Sequence, residues 1–372
     1  MNTACRMSDH DLDYHGDREV GAGLVDLAVN VLRPEPPEWL RRELAGELDR
    51  LAVYPDPSAA TEALAIRHAR PVHEVLVTAG AAEAFRLLAC ALRPQHAVVV
   101  HPQFTEPEAA LRAAGHSVGR VLLGPETGFV LSPESVPEEA DLVIVGNPTN
   151  PTSVLHSAAT LRKLLRPGRL VVVDEAFMDA VVGEPESLAG ESADGLVVIR
   201  SLTKIWGIAG LRAGYLLAAP QLVHALRGVQ PPWSVSSLAA RAVALCSTPS
   251  AVAQAVALAA RVERDREHLV EGLRSLGIQL SGCPRGPFVL VRLPHAELLR
   301  TRLRAEGYAV RRCDTFPGLG VDWLRITVRD PAVADPFLAT LARLLSESGG
   351  AEKAMPSKLN RDPKVAVDRT CA

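Results

Sequence analysis

A chain of 372 residues, 48% hydrophobic and 22% charged, can bury a substantial core and has the balance of a soluble globular protein of one large or two smaller domains. Its net charge of -3 argues against a nucleic-acid partner held through phosphates, and the body has no basic run longer than Arg41-Arg42 or Arg311-Arg312, which argues against an anionic membrane surface. The six cysteines are scattered without metal-ligand spacing, and the polar N-terminus has no apolar signal core, so the expectation is a cytoplasmic protein with reduced thiols and no metal site.

Along the chain, the segment 81–92, "AAEAFRLLACAL", reads as a helix opened by a turn at Gly80. Four short apolar runs follow: "AVVV" (97–100), "DLVIV" (141–145), "RLVVV" (169–173) and "LVVI" (196–199). Their length and β-branching predict strands buried on both faces. Segments 106–115 and 157–165 between them have helical period. This alternation predicts an α/β fold, a mostly parallel sheet flanked by crossover helices. The run 242–260 has no charge over 19 residues, close to a bilayer span. Ser247, Thr248, Pro249, Ser250 and Gln254 within it predict an interior helix–turn–helix instead. Beyond it a long helical region leads to "FVLVRL", another helix and "LRITV", the pattern of a small α+β domain. The predicted organisation is an N-terminal arm (1–29) packing with the small domain, a large domain (30–225), a linking helix with the small domain (226–349), and a disordered polar tail (350–372).

Ligands of open α/β sheets bind beyond the carboxyl ends of the strands, so the residues after each run carry the functional reading. They are Phe104 in "HPQFTEP", Asn147 and Asn150 in "NPTNPTS", Asp174 and Glu175 in "DEAF", and Ser201, Thr203 and Lys204 in "SLTK". Lys204 stands out because, through residue 349, it and Lys163 are the only lysines in a chain rich in arginine. Singly, Asp174 is an ordinary cap, Asn150 an ordinary turn residue and Phe104 an ordinary core ring. Jointly they match the needs of pyridoxal 5'-phosphate. Lys204 would carry its aldehyde, Asp174 would pair with the ring nitrogen, Asn150 would bond the phenolic oxygen, and Phe104 would stack on the ring. The phosphate would sit on the backbone of Gly80, Ala81 and Ala82 at a helix start, with Ser201, Thr203 and Arg212. Partial burial beside Arg212 would lower the lysine pKa.

With these residues in place, "NPTNPT", "VVVDEAF" and "SLTKIWGIAGLRAGY" resemble the signature segments of the fold-type I pyridoxal-phosphate enzymes, within them the histidinol-phosphate aminotransferase family, over roughly residues 12 to 345. The resemblance implies a homodimer in which Tyr54 of "YPDP" reaches the neighbouring subunit's phosphate site. It also implies that Arg325 of "LRITVR" grips the substrate carboxylate and that Asn30 lies on the substrate side. "YHGD" (14–17), "PQFTE" and Phe177 in "DEAF" resemble the threonine-phosphate decarboxylase branch of cobalamin biosynthesis. That branch is set slightly ahead of an aminotransferase of the histidinol-phosphate or aromatic amino acid type using 2-oxoglutarate. Pro107, Ser153 and Ala82 depart from the family pattern. A phosphorylated substrate needs cationic donors, for which His15, Arg311, Arg312 and Arg329 are the candidates.

Overall fold

The structure, a computed structural model, describes residues 11–352. Eleven strands occur among them: β1 (Val25–Leu27), β2 (Val75–Thr78), β3 (Ala97–His101), β4 (Val118–Leu122), β5 (Leu142–Gly146), β6 (Leu170–Asp174), β7 (Leu196–Ser201), β8 (Gly214–Ala218), β9 (Phe288–Arg292), β10 (Tyr308–Arg312) and β11 (Trp323–Thr327). Seven form one sheet in the order β2-β8-β7-β6-β5-β3-β4, and four form a second in the order β1-β10-β11-β9. The large sheet is parallel except at β8, which runs antiparallel to both β2 and β7. The α/β expectation is therefore met.

Each of the four predicted strands is present, and each owes its place to the period of two. Val98, Val100, Val143, Val145, Val171, Val173 and Val198 enter one core cluster. The alternating residues Ala97, Val99, Leu142, Ile144, Val172, Val197 and Ile199 enter the cluster on the opposite face. Burying each valine or isoleucine contributes roughly 1.5–3 kcal/mol, so the sheet centre is rigid and its ends are free to carry polar residues. Strand β2 and the antiparallel β8 are not evident in the residue pattern, because "VLVT" and "GYLLA" adjoin glycine and alanine runs.

Strand β8 has a functional consequence. Gly214 opens it, opposite both Ser201 at the end of β7 and Thr78 at the end of β2. An antiparallel strand between parallel ones thus brings its preceding residue, Arg212, to the same edge as the residues that follow β2 and β7. A Cβ on Gly214 would lie 2.8 Å from Gly80 Cα, so that approach requires glycine.

Behind the edge, Arg200 is fully buried and pairs with Glu175 at 3.0 Å, Glu184 at 2.7 Å and Asp179, with Arg67 also on Asp179 at 2.9 Å. This ionic cluster ties the loop after Asp174 to β7. The uncharged run forms two helices, Ser237–Cys246 and Pro249–Ser275, which meet at 76°. Ser236 and Thr248 cap them, and Pro249 occupies the first turn of the second. Among the described residues no single helix is long and apolar enough to cross a membrane. Cys90, Cys246 and Cys313 are free thiols, whereas Cys283 is disulfide-bonded, a correction to the expectation of six reduced cysteines. The expected disordered tail lies outside the described residues except for 350–352, which continue the helix Pro331–Glu352.

Replacing Arg200 with methionine leaves buried carboxylates short of a partner, and removing one member of such a cluster costs about 3–5 kcal/mol. The expected outcome for Arg200→Met is a loss of that size in urea denaturation. A midpoint equal to wild type contradicts the role assigned to the cluster.

Candidate active site

A cavity of about 470 Å³ opens where the carboxyl ends of the large sheet meet the small sheet and the N-terminal segment. Ala81, Ala82, Phe104, Asn150, Asp174, Ser201, Thr203, Lys204 and Arg212 all line it, as do Asn30, His15 and Arg325. The side chains named from sequence therefore come largely to one place. Gly80 abuts the cavity through Arg212: its φ is +78°, and a Cβ there would stand 2.8 Å from Arg212 Nη2.

Asp174 is the last residue of β6 and one position before the buried Glu175. Burial pushes its carboxyl up to about 6, opposed by a hydrogen bond from the Ala176 N–H to Oδ1 (3.1 Å) and by the charge of Lys204. Burial is also the main cause that lowers Lys204 to about 8, with Arg212 and Arg325 adding repulsion and Asp174 and Asp17 opposing it. Each group thus feels the other's charge across the cavity. Arg212 contributes as the sequence suggests, second to desolvation.

Asn150 accepts a hydrogen bond from Arg325 Nη1 at Oδ1. A guanidinium only donates, so this bond orients the amide and leaves Nδ2 as a free donor. Phe177 packs edge-on against Phe288, centroids 5.0 Å apart, and the Arg325 guanidinium lies 5.4 Å over Phe288. Its ring offers no hydroxyl. His15 approaches the Phe104 ring at 5.5 Å, tilted by 37°.

Arg329, Tyr54 and Arg312, also named from sequence, lie outside this lining. Arg329 lies outside the cavity lining, because its guanidinium is consumed by the carbonyls of Asp26 (3.0 Å), Val31 (2.9 Å) and Val29 (3.1 Å); its assignment as a substrate ligand is corrected accordingly. Tyr54 is 70% exposed and stacks on Trp233 at 4.3 Å, beside a separate cavity of about 580 Å³ bounded by Trp233 and Arg227. Among the phosphate candidates, Arg312 is held by Asp314 and Arg311 reaches the cavity.

Sequence reasoning left Tyr14, Phe316 and Ala28 unassigned. Arg311 lies between the rings of Tyr14 (4.7 Å) and Phe316 (4.9 Å) and donates to Tyr14 O at 2.8 Å and Thr315 Oγ1 at 2.7 Å. The register sets Arg311 of β10 directly opposite Arg325 of β11, a like-charge cross-strand pair. The sole local hint was an aromatic residue beside the His15-Gly16 pair.

The donor set fits pyridoxal phosphate. Gly80 leaves room for Arg212 against the first turn of the helix Gly80–Ala91, and the Ser201 and Thr203 hydroxyls lie 2.7 Å apart beside it. Backbone amides at a helix start, two hydroxyls and a guanidinium are the groups that hold a phosphate dianion. A lysine of lowered pKa, an acid and an aromatic ring complete what the aldehyde, ring nitrogen and ring face require.

Comparison with known proteins agrees. Residues 22–341 match aminotransferase class I and II. The chain is 50% identical over 319 residues to a histidinol-phosphate aminotransferase of Mycobacterium tuberculosis, covering 85% of this chain and 86% of that one. It is 30% identical over 335 residues to the threonine-phosphate decarboxylase of Salmonella typhimurium, covering 87% and 92%. The crystal structure of the histidinol-phosphate aminotransferase from Clostridium acetobutylicum superposes with a TM-score of 0.80 at 23% identity, over 87% of this chain and all of that one, which supports the fold. A matched family spanning most of the chain, relatives of that identity, and a cavity carrying the lysine, acid and phosphate donors together lead to one conclusion: the chain belongs to the aminotransferase class I and II family and is an enzyme whose cofactor is pyridoxal 5'-phosphate.

Proposed function

We propose that the enzyme acts on a phosphorylated amino acid or amino alcohol, with decarboxylation of threonine phosphate as the first reading. One observation carries the substrate class. Arg311 and Arg325, 2% and 4% exposed, reach one cavity with no ion-pair partner among the described residues. Burial and the charge of Arg311 pull Arg325 down to about 9, and burial also lowers Arg311. Two desolvated cations, bonded only to neutral oxygens, are stabilised by a ligand with two anionic groups. We assign the carboxylate to Arg325 with Asn30, and the phosphate to Arg311 with His15.

Bound cofactor supplies an electron sink beside the substrate α-carbon. Asp174 would keep a proton on the ring nitrogen, Asn150 Nδ2 would donate to the phenolic oxygen, and Phe104 would cover the ring. Ala81, Ala82, Ser201, Thr203 and Arg212, with the Gly80 turn, would hold the phosphate. In decarboxylation the bond from Cα to the carboxylate breaks with release of carbon dioxide, and Lys204 Nζ returns a proton to Cα. In aminotransfer Lys204 Nζ removes the Cα proton instead. Arg325 would govern the choice by fixing where the substrate carboxylate is held. The strap of His15 and Gly16, and Phe177 where aminotransferases carry tyrosine, favour the first outcome, which belongs to the cobalamin branch. The 50% identity to mycobacterial proteins named histidinol-phosphate aminotransferases favours the second. The Tyr54–Trp233 shelf is the surface we assign to a homodimer, and a cytoplasmic location completes the proposal.

Purified enzyme given O-phospho-L-threonine is expected to release carbon dioxide without forming glutamate from 2-oxoglutarate. Glutamate without carbon dioxide would establish the aminotransferase reading instead. Arg311→Met is expected to raise the half-saturating concentration of the phosphorylated substrate about 10–100-fold, from the ~1.5–3 kcal/mol of a charged hydrogen bond. An unchanged value removes Arg311 from the phosphate site.

A neutral amine is required to take up the aldehyde. With Lys204 lowered to about 8, its neutral form is gained as pH rises through 8, not 10.5. Apoenzyme reconstitution is therefore expected to accelerate about tenfold per pH unit below about 8 and level off above it, as followed by visible absorbance. A limb centred near pH 10 contradicts a desolvated lysine.

A further inference from the structure

Beyond these assignments, we infer that Arg329 is a positioning residue for the substrate carboxylate site, acting through the segment 26–32 on Arg325; this rests on the reading that Arg325 binds the carboxylate. Three alternate positions at the end of the small sheet address that segment. Arg325 donates to Ala28 O, Thr327 Oγ1 donates to Asn30 Oδ1 at 2.8 Å, and Arg329 takes the carbonyls of Asp26, Val29 and Val31. Ala28 and Val29 form a bend beyond the strand, and the carbonyls that Arg329 holds lie on both sides of Ala28. Holding the carbonyls of Asp26, Val29 and Val31 therefore fixes the bend that presents Ala28 O to Arg325.

The segment has two further anchors. Asp26 Oδ1 accepts from the N–H groups of Ala28 (2.9 Å) and Val29 (2.8 Å), closing the turn from within. Leu32 N–H donates to Lys204 O at 2.9 Å, so the same seven residues bridge the carboxylate site and the lysine. Gly16 lies over the junction, where a Cβ would stand 2.8 Å from Ala28 O and 3.5 Å from Arg325 Nη2. Among the described residues, the Arg329 fork is the one side chain that grips three carbonyls of the segment. A guanidinium suits this use because its five donors lie in one plane, which an ammonium cannot reproduce.

The test compares Arg329→Met and Arg329→Lys with wild type as full-length holoenzymes, using O-phospho-L-threonine and L-glutamate as probes of the cofactor absorbance. The expected result for Arg329→Met is unchanged cofactor content and spectrum, a half-saturating concentration raised roughly 10–100-fold for the responding probe, and kcat within about threefold. Arg329→Lys recovers part of the loss, and Arg329→Met adds little in an Arg325→Lys background, because the two act in series. Unchanged half-saturation, or losses that add fully in the double variant, overturns the inference. If Arg329→Met does not fold, Arg329→Gln, neutral but still a donor, is judged by the same criteria. A wild-type response to glutamate but not to O-phospho-L-threonine defeats threonine-phosphate decarboxylation as the first reading, and the Arg329 comparison is then decided on glutamate.

Discussion

Positive charge held away from water is the constraint around which this molecule is arranged. Arg311 and Arg325 face each other across two antiparallel strands, and Lys204 lies in the same cavity, where Asp174 and Asp17 are the acids of the lining among the described residues. Left to themselves, like charges opposite each other on a sheet destabilise it. The protein surrounds both guanidiniums with carbonyl oxygens, hydroxyls and aromatic faces in place of carboxylates. Such partners occupy the terminal nitrogens, leave Arg325 Nε buried without a hydrogen bond, and leave the charge uncancelled. An anion entering the cavity would offset this repulsion, so the affinity proposed for a doubly anionic ligand and the lowered Lys204 pKa have one electrostatic origin.

The cofactor side obeys a steric constraint. The strand opened by Gly214 brings Arg212 alongside the Gly80 turn only because neither glycine has a side chain there. The valine layers on both faces of the large sheet hold that edge still. The buried Arg200 cluster fastens the loop after Asp174 to the neighbouring strand. Packing and ion pairing behind the edge thus position groups whose own pKa values are set in front of it.

Much of this was legible beforehand. Lys204 stands out by its scarcity in an arginine-rich chain, and Asp174, Asn150, Phe104, Ser201 and Thr203 by their places after short apolar runs. Those signals are local and survive without knowledge of pairing. Arg329 shows where residue type misleads. It stands in a segment expected to bind substrate, yet its donors are taken by main-chain carbonyls some 300 residues away in sequence. Arg311 shows the converse, one of several phosphate candidates in the sequence that only the register of its strand sets opposite Arg325.

By itself, then, the sequence determined which runs are buried strands, which residues stand at their ends and hence which cofactor the chain can hold, because periodicity and strand-end chemistry are written within a few residues. Only the tertiary structure decided that Arg311 faces Arg325, that Tyr14 and Gly16 fold over them, that β2 and the antiparallel β8 complete the large sheet, and that Arg329 serves the backbone. Those outcomes depend on contacts such as Arg325 with Ala28, 297 positions apart, and no local composition encodes which distant carbonyl a guanidinium will meet.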